Sequence, residues 1–104
     1  FMKVMHIGVP TKKIKPNENY IEGLKVFVTN PEEHDYKFEF LRFEENSPMA
    51  NEIQANPHIA ILVENIHNEI FKANKILQSP FDAGDYILAF IERDGVIFEL
   101  MQPK

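Results

Sequence analysis

Four residues carry the chemistry that this sequence can offer: His6, Glu39, His58 and Glu99. They lie in short stretches that echo one another. "HIGV" (6–9) is answered by "HIAI" (58–61), and "FEFL" (38–41) by "FELM" (98–101). Each half of the chain opens on His-Ile-small-apolar and closes on Phe-Glu-apolar-apolar. A carboxylate among apolar neighbours on a half-buried strand is costly unless it is paired or binds a cation. Two imidazoles and two carboxylates at equivalent places in two copies point to one shared site between the copies. That donor set suits divalent Zn, Fe, Mn, Ni or Co. The chain has no cysteine, which excludes thiolate zinc sites, cysteine nucleophiles and disulfides.

Such a site needs strands to position it. Side chains alternate along a strand, so His58 shares a face with Ala60 and Leu62, while Ile59, Ile61 and Val63 face the other way. By the same rule Glu99 shares a face with Ile97 and Met101, opposite Phe98 and Leu100. Alternation and β-forming composition predict strands over 3–9, 24–30, 36–45, 58–64, 85–92 and 96–102. Residues 17–22 read as one short turn and 46–56 as a connector. One helix is predicted over 66–78. Asn65 is its N-cap, Ile66, Ile70, Ala73 and Leu77 form its apolar stripe, and it ends before Pro80. Asp94-Gly95 between two strands predicts a type I′ hairpin. Such a turn pairs Arg93 with Val96 and, counting back, Phe90 with Glu99. Cross-strand partners share a face, so Phe90 is expected to wall the site pocket, or else to be barrel core.

The repeated motifs divide one domain, 1–104, into modules of about 3–45 and 57–102 joined by the connector 46–56. The His-to-Glu separation is shorter in the first half. The shortfall falls where the second half has its helix and the first has "KKIKPNEN". The expected fold is therefore α+β, with two βαβββ-type modules and a degenerate helix in the first.

Composition narrows the partners. The 104 residues carry a net charge of −5 with pI near 5.3, which argues against nucleic acid or an anionic membrane. The longest apolar run is far short of the roughly 20 residues of a membrane span. No leader peptide is visible in "FMKVMH", and Phe1 ahead of Met2 reads as an expression scar. A cytoplasmic location is the expectation. His34, in a polar turn, and His67, in the first turn of the helix, read as surface residues. Arg42, on the opposite strand face from Glu39, is assigned no site role.

"PHIAILVENI" (57–66), the helix after it, "ILAFIERDGVIFELMQ" (87–102) and the duplicated plan resemble the vicinal oxygen chelate superfamily. That superfamily includes glyoxalase I, the bleomycin-resistance proteins and the extradiol dioxygenases. The resemblance covers nearly the whole chain and is strongest over 57–102. It implies two modules whose sheets curl into one incomplete barrel around a metal and its substrate, with ligands from the first and last strand of each. His6 and His58 match the first-strand histidines and Glu99 the last-strand glutamate of the second module. Glu39 matches the last-strand ligand of the first module, with Glu44 and Glu45 as nearby alternatives. The implied activity is that of a metal-dependent lyase, isomerase or dioxygenase on a small oxygenated substrate, with Glu99 or Glu39 carrying the proton. Without Glu39, the remaining two histidines and one glutamate form a triad suited to Fe(II) and oxygen chemistry. The alternative is a metal-free protein that binds or sequesters a small molecule. No residues match the glutathione-binding segments of glyoxalase I. The first module offers little to cover the site, so either a small, solvent-open cavity or a homodimer is expected.

Overall fold

The structure, a computed structural model, describes residues 2–104. Phe1, read above as an expression scar, lies outside the described residues. The strands are β1 (Lys3–Pro10), β2 (Asn19–Ile21), β3 (Val26–Val28), β4 (Phe38–Phe43), β5 (His58–Leu62), β6 (Lys75–Ala83), β7 (Tyr86–Arg93) and β8 (Val96–Pro103). Among the described residues two short α-helices, α1 (Asn51–Ala55) and α2 (Ile66–Phe71), and two 3-10 turns, Glu22–Leu24 and Pro31–Glu33, interrupt them.

All the strands join one mixed sheet in the order β2-β3-β4-β1-β5-β8-β7-β6. Its two edges, β2 and β6, are far apart in that order. Yet Ile21 of β2 and Phe81 of β6 line the same cavity, so the sheet curls into a half barrel. Pairing runs alike on both sides of the middle. β1 is parallel to β4 and β5 is parallel to β8, while β1 and β5 meet antiparallel at the centre. The registers match as well: Ile7 opposes Phe38 as Ile59 opposes Phe98.

The core has two sides. On the convex face, Ile61, Ala89, Ile91 and Leu100 pack beneath Ile66, with Ile59, Val63, Ile70 and Phe98 around them. On the concave face, Phe90 and Ile97 pack against Met49 and Ile53, the latter on α1. The alternation expected of β5 and β8 therefore holds. The hairpin also forms as expected: Asp94 and Gly95 have φ of 52° and 82°, Arg93 pairs with Val96, and Phe90 pairs with Glu99.

The helix expected over 66–78 ends at Phe71. Asn65 does cap it, accepting from the amides of His67 and Asn68, but 75–83 is strand β6. Ile66, Ile70 and Ala73 pack on the convex side, whereas Leu77 packs on the concave side with Met49 and Phe90. The stripe is thus split between the two faces of the sheet. Pairing of Ile76 with Ile91 and of Gln78 with Phe90 outweighs the helical period. Pro80 does not end a helix. It sits in a register shift of edge strand β6, between Gln78 and Phe81, where no ladder donor is needed. Two further expectations change. Residues 17–22 contain strand β2, and the connector 46–56 contains α1. Among the described residues, no helix is long and apolar enough to cross a membrane.

Candidate metal centre

The centre of the sheet sets the four side chains in place. Across the β1–β5 pair, His6 opposes Ala60 and Gly8 opposes His58. Each histidine lies opposite the small residue that follows the other by two positions. On the outer sides, Gly8 neighbours Glu39 and Ala60 neighbours Glu99. Two staggered rows result: Glu39, Gly8 and His58 in one, and His6, Ala60, Glu99 and Phe90 in the other. The small residues leave room for the rings. At Gly8 a Cβ would lie 2.0 Å from His58 Cε1, so the ring occupies the space that any side chain larger than glycine's would need.

The polar atoms converge. Glu99 Oε1 lies 3.0 Å from His58 Nε2 and 3.2 Å from His6 Nε2, and His6 Nε2 lies 3.3 Å from Glu39 Oε1. One ligating atom from each of the four residues falls within 4.8 Å of all the others. His6, His58 and Glu99 are buried and Glu39 is half-buried. Glu44 and Glu45, the alternatives to Glu39, are exposed, and Glu44 instead accepts from the Tyr20 hydroxyl. Glu39 is the first-half carboxylate in the cluster.

Burial alone would discharge His6 and Glu99, and their contacts reverse that. Desolvation opposes a charge on His6, but hydrogen bonds to Glu39 and Glu99 and the two negative charges raise its pKa to about 10. Desolvation likewise opposes ionised Glu99, but the hydrogen bonds from His58 and His6 hold it down to about 2. An ionised Glu99 is an acceptor only, so His58 donates to it from Nε2. The other ring nitrogen, His58 Nδ1, is buried with no hydrogen-bond partner.

The donor set fits a divalent cation. Two imidazole nitrogens and two carboxylates are the ligand types such ions take. Metal–ligand distances of about 2.0–2.2 Å put donors up to about 4 Å apart, close to the spacing present. Two carboxylate charges also balance a divalent ion.

The cluster opens onto a cavity of about 260 Å³. His6, Glu39 and Glu99 face it, whereas His58 does not line it. Phe90 does, and is also core: it is 3% exposed, and its ring stands edge-on to His58 with centroids 5.2 Å apart.

The remaining histidines and Arg42 stay outside the site. His67 is exposed. His34 is not merely a surface residue: it is half-buried, stacks on Phe38 at 4.6 Å, and its Nδ1 accepts from the Tyr36 amide. Arg42 pairs with Glu18 at 2.8 Å. Met49, to which the sequence pattern assigns no role, lines the cavity, and Ile53 packs against it. Their spacing of four residues, just ahead of the second histidine strand, was the available signal.

No protein-family model matches the chain, and no curated protein matches it. The chain is similar to a crystal structure of a hypothetical protein from Bacillus halodurans C-125, with a TM-score of 0.67 and 21% identity over 99% of this chain and 95% of that one. At that identity the likeness bears on the fold.

Proposed function

We propose that this chain is a small protein of the vicinal oxygen chelate type, built from two βαβββ-like modules, 3–45 and 57–102, the first with its helix lost. It holds one divalent cation between His6, Glu39, His58 and Glu99 and acts on a small oxygenated substrate as a lyase, isomerase or dioxygenase. The convergence of four donors within 4.8 Å at the seam between the halves carries the reading. The shared pairing registers of the halves support the modular part of it.

A cation held by His6, Glu39, His58 and Glu99 would supply Lewis acidity toward a substrate oxygen. The residues divide the remaining work. Glu99 is anchored by both histidines, so its position is set. Glu39 touches His6 alone, at 3.3 Å, and its side chain is 20% exposed in the cavity. It is the freer carboxylate and the one placed to take and return a proton. Phe90 and its apolar neighbours exclude water from the far side of His58. A homodimer belongs to the same reading, since Ile76 on edge strand β6 is 50% exposed and Phe71 is 91% exposed.

A second reading is a metal-free binding protein. It is favoured by the internal pairing of charges, with a protonated His6 between Glu39 and Glu99. Equilibrium dialysis of the metal-free protein against Zn, Mn, Fe(II), Co and Ni separates the two. The metal reading expects one ion per chain, and a loss of at least tenfold in affinity in His58→Ala. No ion retained above a scrambled background, or the same affinity in His58→Ala, rejects it.

A further inference from the structure

The cavity beside the four-residue cluster has a second chemical property. Its walls come from both halves of the sheet, with Val28 and Leu41 on one side, Leu88 and Met101 on the other, and Met49 below. Among the described residues, no lysine or arginine lines it, and away from the cluster its only polar side chain is Tyr86. The charges it does contain are the two carboxylates and the histidines between them.

We propose that the ligand of this cavity is a small uncharged molecule with an apolar body, and that compounds bearing a carboxylate or phosphate are rejected. This rests on the metal-centre reading for the end that carries the oxygen donors. The rest of the argument is electrostatic. A divalent ion held by two carboxylates and two neutral imidazoles has no net charge. A carboxylate or phosphate carried away from the oxygen donors would lie in the apolar part of the cavity, where no lysine or arginine of the described residues receives it, and burying an unpaired charge there is strongly unfavourable. Against the metal-free cluster, the two glutamates give an anion no better reception. Size sets a second bound. An apolar cavity of about 150 Å³ takes one benzene ring, so 260 Å³ admits a single ring with a short substituent.

The test uses two probes with the same pair of adjacent oxygen donors, 4-methylcatechol and 3,4-dihydroxybenzoate. Each is titrated into the zinc-loaded and the metal-free protein, and the methyl NMR signals of Leu88 and Met101 report occupancy of the cavity. The expected result is that 4-methylcatechol shifts those methyls and binds at least about tenfold more tightly than 3,4-dihydroxybenzoate, with the same order in both forms. Equal or tighter binding of the benzoate in either form overturns the proposal, as does the failure of 4-methylcatechol to move the two methyls. The metal-centre reading fails separately, when zinc leaves the ring signals of His6 and His58 unshifted. The metal-free titration then still decides the charge preference.

Discussion

The His58 ring lies directly over Gly8, its cross-strand partner, so that a Cβ on residue 8 would be 2.0 Å from Cε1 and 2.3 Å from Nε2 of that ring. Gly8 has no metal-binding group, yet it decides where a proposed ligand sits. Gly8→Ala should push the ring out of the cluster. Overpacking of this kind costs about 1–3 kcal/mol, and divalent-ion affinity should fall at least tenfold. Urea denaturation and a metal titration check the two parts. A variant with unchanged affinity would show that the ring can move without cost to the site.

Among the described residues Glu99 pairs with no lysine or arginine; it is held by the two histidines. Glu99→Gln should therefore destabilise the metal-free protein by about 1.5–3 kcal/mol, the range for hydrogen bonds to charged groups. The rise in melting temperature on adding metal should shrink, because a ligand that binds only the native state stabilises in proportion to its affinity. Melting curves with and without added divalent ion measure both. A variant whose metal response equals that of the parent would remove Glu99 from the site.

The metal-free protein should show a pH optimum of stability set by the cluster. The pKa of His6 rises on folding from 6.5 to about 10, so its contribution is full below 6.5 and is lost as pH climbs through 10. The pKa of Glu99 falls from 4.5 to about 2, so its contribution is full above 4.5 and is lost as pH drops through 2. Both are complete only between 4.5 and 6.5. Denaturation midpoints should fall steadily from pH 6.5 towards 10, and His6→Gln should flatten that slope. An unchanged slope in the variant would assign the pH dependence to other groups.

His58 should change tautomer when metal binds. In the metal-free protein Nε2 donates to Glu99, and Nδ1 has no partner to receive a proton. An orphaned buried N–H costs about 1–3 kcal/mol, so Nδ1 should be bare. Metal ligation through Nε2 requires the proton to move to Nδ1. Long-range proton–nitrogen NMR distinguishes the two forms, and an Nδ1–H tautomer already present without metal would contradict the scheme.

Much of the site was legible because strands alternate. The repeated His-Ile-small and Phe-Glu motifs placed four donors on one face, and Asp94-Gly95 set the register that brings Phe90 to Glu99. The helix extent was not legible. Ile66, Ile70, Ala73 and Leu77 keep a helical period by spacing alone, but Leu77 belongs to a strand whose partner, β7, lies later in the sequence. β2 was hidden for a related reason: three residues, all exposed, carry no burial pattern, and only pairing with β3 makes them a strand. The role of Gly8 was half visible as the small residue of its motif. That the space above it belongs to a ring 50 residues away in sequence follows only from the β1–β5 register.

The proposed site holds one ion between four side chains at the seam of the sheet. Anomalous diffraction from crystals of the metal-loaded protein locates that ion. One strong peak per chain is expected, about 2.0–2.2 Å from His6 Nε2, His58 Nε2 and a carboxylate oxygen of each of Glu39 and Glu99. A peak elsewhere on the chain, or none at this position in metal-saturated crystals, would contradict it.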